Sequence, residues 1–313
     1  MEIYAYPKVN ICFKITNILQ NGYCEIASRF VLVESANLCD TIEIRESSAF
    51  QISGNFSCAM QENTIFKAKE ALKDFLESYP ISSLQGSEAT EAIQTPKVDC
   101  HDLTIAKSRN DKLKTYSTNH IKNVLKMLES FSIEVDKKIP AFAGLGGGSS
   151  DAANYLKAMN EILELNLAQK DLMEIGAKVG ADVSFFLYDK KSANVFGIGE
   201  KVEFFSEDSM DFEFITPPIQ CSTKAVYDEF RAMIQRREVA FFTQGRDLLS
   251  HDSATLLCEN TREFLNDLYA PACKIYPDLR QYAQDGYFFS GSGSSFFKIK
   301  YSLQKPRQRL KYK

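Results

Sequence analysis

Residues 139–153 read Ile-Pro-Ala-Phe-Ala-Gly-Leu-Gly-Gly-Gly-Ser-Ser-Asp-Ala-Ala, so Gly144, Gly146, Gly147 and Gly148 run directly into Ser149, Ser150 and Asp151. Backbone amides freed of side chains can converge on an anion, and a helix starting just after them adds unpaired N–H donors and the positive end of its dipole. That combination suits phosphate. The plainer reading is a tight turn that needs positive φ, but such turns use one or two glycines rather than a run. The loop is not a Walker A motif, because no Gly-x-x-x-x-Gly-Lys-Ser/Thr occurs in the chain. It is not a dinucleotide fingerprint either: Gly144-x-Gly146 meets Ser149 where the third glycine belongs. The second glycine window, Ser290-Gly291-Ser292-Gly293-Ser294-Ser295, lies too near the C-terminus to open a βαβ unit. Six of the 15 glycines fall in these two windows, so backbone freedom is concentrated there.

Other chemistries are thinly supplied. The eight cysteines form no Cys-x-x-Cys pair, which removes zinc ribbons and thioredoxin-like redox motifs, and they read as reduced, mostly buried thiols. His101, His120 and His251 are the only histidines and are better read as structural or solvent-facing than as a metal set. Lys and Arg total 37 against 41 Asp and Glu, so no general basic field draws nucleic acid or membrane. The exception is local: seven Lys or Arg and no acid between Lys298 and Lys313, either a nucleic-acid tail or, more simply, a solvated end. No apolar run approaches a membrane span, and the N-terminus lacks a secretion pattern, so a cytoplasmic protein is expected.

The elements that position the loop can be read from periodicity. Ile3, Ala5, Val9, Ile11, Phe13 and Ile15 alternate with Lys8, Asn10, Cys12 and Lys14, a strand with one buried face that Pro7 confines to an edge or breaks. Strands are also expected at 25–34, 40–45 and 133–135. Asn63 or Thr64 can cap a helix whose stripe runs from Ile65 to Leu76, and another helix spans 120–131. After the loop, Ser149 or Ser150 caps a helix with Asp151 in its first turn; a further helix, 168–179, stops at Gly180. Strands are expected at 183–188 and 193–205. A polar excursion covers about 80–120. The cluster at 206–211 reads as a linker, dividing the 313 residues into domains 1–205 and 206–313, the second with helices at 223–235 and 260–268 and strands at 212–215, 287–289 and 296–299.

Pro140, Ala141, Phe142, Ala143, Gly144, Leu145, Gly146, Gly147, Gly148, Ser149 and Ser150 together resemble the phosphate loop of the GHMP kinase superfamily. Lys8-Val9-Asn10 is similar to its N-terminal Lys-x-Asn strand, Gly180-Ala181-Asp182-Val183 to its catalytic-aspartate segment, and Ser290-Gly291-Ser292-Gly293 to its C-terminal glycine motif. The Gly-Leu-Gly-Gly-Gly-Ser-Ser-Asp form is most like the branch acting on a cytidine diphosphate conjugate of methylerythritol, in the non-mevalonate route to isoprenoids. The resemblance implies an α+β, two-domain fold, an N-terminal domain like the second domain of ribosomal protein S5 and a smaller α/β-plait domain, with the site in the cleft between them. It implies ATP with Mg²⁺ reached through the nucleotide, with help from Ser149 or Ser150, and no prosthetic group.

The same resemblance puts Lys8 and Asp182 at the reacting hydroxyl, Asp182 as base and Lys8 as the cation beside it. Read alone, Asp182 is equally a helix cap. Asn63 and Lys137 fall on the nucleotide side, though they also read as an ordinary cap and a solvated charge. Asn10, Tyr23, Cys24, Thr223, Tyr227, Gly291, Gly293 and Ser294 fall on the substrate side. Tyr23 is otherwise a core aromatic, and Cys24 stands where the branch has a histidine that reads cytosine, a thiol being a weak donor and acceptor. The expected partner is a small-molecule substrate, with neither nucleic acid nor membrane, and the chain a monomer or weak homodimer. The alternatives are a GHMP kinase of mevalonate, homoserine or a sugar, or a non-catalytic nucleotide- or RNA-binding protein of this fold.

Overall fold

The computed structural model describes residues 1–56, 58–78 and 118–300. The polar stretch expected at 80–120 falls outside them up to residue 117, as do Cys100, His101 and the basic tail from 301 onward. Strand β1 (Glu2–Ala5) is followed by β2 (Lys8–Ile18), β3 (Cys24–Leu32), β4 (Asp40–Glu46) and β5 (Gln51–Gly54). Helices α1 (Thr64–Ser78) and α2 (Thr118–Leu128) and strand β6 (Phe131–Asp136) lead to α3 (Gly147–Ile162), α4 (Gln169–Val179) and α5 (Val183–Leu187). Next come β7 (Ser192–Gly197), β8 (Lys201–Phe204), β9 (Asp211–Ile215) and α6 (Thr223–Gln235). Short helices α7 (Gly245–Leu248), α8 (Ser253–Glu259), α9 (Arg262–Leu265) and α10 (Tyr269–Ile275) precede the closing strands β10 (Phe288–Phe289) and β11 (Phe296–Lys300).

Among the described residues the strands form three sheets, ordered β1-β4-β6-β5, β2-β3-β7-β8 and β10-β11-β9, in which only the β5–β6 pair is parallel. Largely antiparallel sheets beside segregated helices make this an α+β protein. Among the described residues, no helix is long and apolar enough to cross a membrane.

Pro7 breaks the first strand in two. Residues 2–5 pair with β4, whereas 8–18 pair with β3 in another sheet, because proline has no N–H with which to continue one ladder. The expectation of a single buried face is corrected here. A register shift between Asn10 and Cys12 turns the strand, so Val9, Ile11 and Cys12 pack under Leu256, Leu257 and Leu265, while Phe13 and Ile15 pack into the main core. Helices from the second half of the chain cover the face that alternation alone would leave to solvent.

Residues 183–187 form helix α5, not a strand. A short, fully buried apolar run has no periodicity to distinguish the two, and here the run packs between α3 and α4. Residues 193–205 make a hairpin, β7 and β8, rather than one strand. The expected helix at 260–268 shrinks to α9, because the Asn266 side chain takes the Leu268 N–H at 2.9 Å and interrupts it.

Candidate active site

The glycine loop enters α3 earlier than its serines suggest. Gly146 is the N-cap, with φ of 70°, and the first helical bond runs from Ser150 N–H to the Gly146 carbonyl at 2.9 Å. Neither Ser149 nor Ser150 caps the helix. Ser149 lines the cavity in front of the loop, but Ser150 is buried and its hydroxyl donates to the Tyr6 carbonyl at 2.7 Å. Ser150 therefore anchors the helix start to the β1–β2 break and does not face a bound phosphate. Thr64 donates to the Gly148 carbonyl at 2.6 Å, and Asn63 caps α1 by accepting from Ile65 N–H at 2.8 Å.

The two glycine windows meet. Gly144 has φ of 72°, and a Cβ there would sit 2.1 Å from the Ser290 carbonyl oxygen. Ser290 Oγ donates to the Gly144 carbonyl at 2.9 Å, and Ser295 N–H to that of Ala143 at 3.1 Å. Asn266, buried and not anticipated from the sequence, donates to the carbonyls of Phe289 and Gly291 at 2.8 and 3.0 Å and so fixes the second window. Gly291 and Ser292 reach the cavity. Gly293 and Ser294 do not; Ser294 Oγ donates to the Pro217 carbonyl at 3.3 Å. The second window's main work is to clamp the first.

Lys8 begins β2 and Asp182 immediately precedes α5, and their Nζ and Oδ2 lie 3.2 Å apart. The Lys8 side chain is 4% exposed and that of Asp182 30%, so the ammonium is held from behind while the carboxylate faces the cavity. Lys8 Nζ donates to Asn10 Oδ1 at 2.6 Å and to the Gly144 carbonyl at 3.3 Å, and stands 4.6 Å above the Phe30 ring. Asp182 makes no side-chain capping bond, so the helix-cap reading of this carboxylate does not hold. Asn10 is buried, donates to Ser28 Oγ at 3.1 Å and is not among the residues lining the cavity. It orients Lys8 through the bond to its ammonium.

Lys137 is not a solvated charge. It lies between Asp40 and Asp151, accepted by a carboxylate oxygen of each, with the Asp151 contact at 2.6 Å. Asp40 also takes the N–H groups of Lys138 and Ile139 at 2.6 and 2.8 Å, fixing the chain as it enters the loop. Burial pulls the Lys137 ammonium down, and the two carboxylates more than offset it, leaving its pKa above the ordinary value. Burial raises Asp151, with Lys137 opposing and Asp40 adding to the rise. Asp151 Oδ1 is buried and has no hydrogen-bond partner. Periodicity could not single out Asp40, which opens β4, and Asp151, expected in the first turn of its helix, falls beyond that turn because α3 starts at Gly147.

The cavity, about 940 Å³, runs from Asn63, Thr64 and Lys137 along the loop, past Lys8 and Asp182, to Phe13, Thr223, Tyr227 and Leu268. Thr223 Oγ1 lies 2.9 Å from Ser292 Oγ, closing α6 against the second glycine window. Phe13 and Tyr227 meet edge to face at 6.4 Å. Tyr23 is 60% exposed in the β2–β3 turn, which excludes a core role, and Cys24 beside it is buried; neither is among the residues lining the cavity. Among the described residues there is no cluster of three or more His, Cys, Asp or Glu able to hold a metal.

This arrangement suits moving a phosphoryl group to a hydroxyl: donors for polyphosphate, a buried cation and a carboxylate beside it. Residues 118–190 match the family model described as the GHMP kinases N terminal domain. The fold is similar to a crystal structure of 4-(cytidine 5'-diphospho)-2C-methyl-D-erythritol kinase, with a TM-score of 0.63 and 23% identity, covering 96% of this chain and 90% of that one. It is also similar to a mevalonate kinase, with a TM-score of 0.56 and 15% identity over 96% and 91%. Fold and site together define a small-molecule kinase of the GHMP type.

Two curated relatives narrow the class. A 4-diphosphocytidyl-2-C-methyl-D-erythritol kinase of Sulfurimonas denitrificans is 40% identical, covering 96% of this chain and 97% of the relative. One of Helicobacter pylori is 35% identical over 95% and 93%. The chain belongs to the family of 4-diphosphocytidyl-2-C-methyl-D-erythritol kinases.

Proposed function

We propose that the chain transfers the γ-phosphoryl of ATP to the 2-hydroxyl of 4-diphosphocytidyl-2-C-methyl-D-erythritol, a step of isoprenoid precursor synthesis. The observation that carries this reading is the Lys8–Asp182 pair, 3.2 Å apart, on the cavity wall between the glycine loop and the Thr223–Tyr227 end. ATP lies with its phosphates along Gly144–Ser149 and its base toward Asn63. The acceptor enters from the side of Tyr227 and Leu268, its hydroxyl beside Asp182.

Asp182 takes the proton of that hydroxyl as its oxygen bonds to the γ-phosphorus. The bond from phosphorus to the β,γ-bridging oxygen breaks, and ADP leaves with that electron pair. Lys8, fixed by Asn10 and the Gly144 carbonyl, neutralises charge on the attacking oxygen and the phosphoryl. Mg²⁺ carried by the nucleotide fits the wall here: the partnerless Asp151 Oδ1 and the Ser149 hydroxyl are the groups that would meet it or its waters. When bound it neutralises polyphosphate charge.

The two-domain division near residue 205 is supported by the irregular segment between β8 and β9. A cytoplasmic setting, no nucleic-acid or membrane partner, and a monomer or weak homodimer remain parts of the proposal; the free thiols and net charge of −4 favour the first two. The test is a substrate panel with ADP release as readout. ADP release that depends on the cytidyl acceptor is expected; turnover of mevalonate or homoserine with the cytidyl compound ignored would contradict the proposal.

A further inference from the structure

We propose that the Phe142 ring keeps water from the transferring phosphoryl, and so decides whether ATP phosphorylates the acceptor or is hydrolysed. The inference rests on the function proposed above, which makes Asp182 the base at the acceptor hydroxyl. A carboxylate placed to take a proton from a hydroxyl can take one from water in the same position. The water oxygen would then bond to the γ-phosphorus, its proton would pass to Asp182, and ADP would leave with the electron pair of the broken bond to the β,γ-bridging oxygen. Transfer to the acceptor therefore calls for an apolar group that holds water off the phosphoryl.

Phe142 occupies a position that its backbone disfavours. Ala141 and Phe142 form the turn that opens the glycine loop, and Phe142 has φ of 54°. The second central position of a turn with positive φ is ordinarily glycine or asparagine, and a bulky residue there is strained. The ring gains no burial in return, being 55% exposed. Among the described residues it is the one exposed large apolar side chain that lines the cavity. Strain retained under an exposed ring at a cavity rim points to a ligand that the ring meets.

The turn beneath the ring is fixed relative to the reacting pair. The Phe142 carbonyl accepts from Cys221 N–H at 3.3 Å, which ties it to the segment entering α6, and the Ala143 carbonyl accepts from Ser295 N–H at 3.1 Å. One residue further, the Gly144 carbonyl accepts from Lys8 Nζ, which contacts Asp182. The ring thus belongs to the residue two positions from the carbonyl that holds the cation, and Gln220 and Thr223 of the tied segment line the same cavity. Ligands that fill the cavity cover the ring, and the apolar area withdrawn from water favours that arrangement.

The test uses the full chain as wild type, Phe142→Ala, Phe142→Gly and Phe142→Leu, and measures inorganic phosphate and ADP released from ATP alone and from ATP with the cytidyl acceptor. Phe142→Ala should raise phosphate release relative to acceptor phosphorylation about tenfold, and Phe142→Leu, which keeps a bulky apolar side chain, should bring the ratio back toward that of the wild type. Phe142→Gly should uncouple as Phe142→Ala does but with a higher Tm than Phe142→Ala, because glycine accepts the positive φ. A ratio unchanged in both Phe142→Ala and Phe142→Gly would overturn the inference while leaving the proposed function in place. A Tm well below the wild type in both would overturn it too, by making the ring a packing residue. If the wild type ignores the cytidyl acceptor, the proposed function fails, and phosphate release from ATP alone decides the ring: a rise in Phe142→Ala supports the shield, and no rise overturns it.

Discussion

Lys8 and Asp182 divide the chemistry unequally. The lysine is buried among an amide, a carbonyl and an aromatic face, and the aspartate looks into the cavity. Removing either should leave the fold and impair transfer. Lys8→Met should lower kcat about 10²- to 10⁴-fold while ATP still binds, as followed by calorimetry beside steady-state rates. Asn10→Ala should act through Lys8: a fall in kcat of roughly tenfold with the acceptor KM nearly unchanged, whereas a mainly raised acceptor KM would return Asn10 to the substrate contact expected from the sequence. The Lys-x-Asn spacing and the Asp182 segment are legible as motifs, since each lies within a few residues of chain. The Lys8–Asp182 contact is not, because 174 positions separate them and only the fold brings them together. Nor is the Asp40–Lys137–Asp151 arrangement, where three ordinary charges gain meaning from burial.

At the scale of elements, the phosphate loop keeps its shape because a second backbone segment leans on it. Gly144 combines positive φ with a carbonyl 2.1 Å from where its Cβ would be, so Gly144→Ala should cost about 1–3 kcal/mol or more in urea unfolding and raise the KM for ATP. A variant as stable as the wild type would show that the clamp is soft. The loop and α3 are legible because glycine density and a helical stripe are local signals. The Gly146 cap is not, since serine is the stronger cap on propensity and here tertiary contacts with Tyr6 and Thr64 set the start instead. The strand expected at 183–188 becomes α5 for a related reason: burial on all sides erases the pattern on which a distinction would rest.

For the whole molecule, Arg29 shows how distant parts are tied. It is fully buried on β3, pairs with Glu207 at 3.4 Å, donates to the carbonyls of Leu249 and His251, and stacks on Phe205 at 3.3 Å. Arg29→Leu strands the Glu207 carboxylate and should cost about 3–5 kcal/mol by denaturant unfolding; a loss under ~1 kcal/mol would mean water reaches Glu207 freely. Burial also ranks the described thiols. It pushes Cys12 up to about 11 and Cys221 to about 12, whereas Cys58 and Cys258 are exposed. At pH 8 in the native state Cys58 and Cys258 should label first, and Cys12 and Cys221 only after unfolding, as read by peptide mass spectrometry. The class of fold is legible from the motifs that carry the family resemblance, each of them local in the chain. The sharing of β2 between two cores is not, because helices about 240 residues later in the chain supply the second. The most direct test of the central claim measures ADP release by the wild type and by Asp182→Asn, each with ATP and 4-diphosphocytidyl-2-C-methyl-D-erythritol. The account predicts acceptor-dependent release in the wild type and a rate about 10²- to 10⁴-fold lower in the variant, with ATP binding retained. Release independent of the acceptor, or a variant turning over at the wild-type rate, would contradict it.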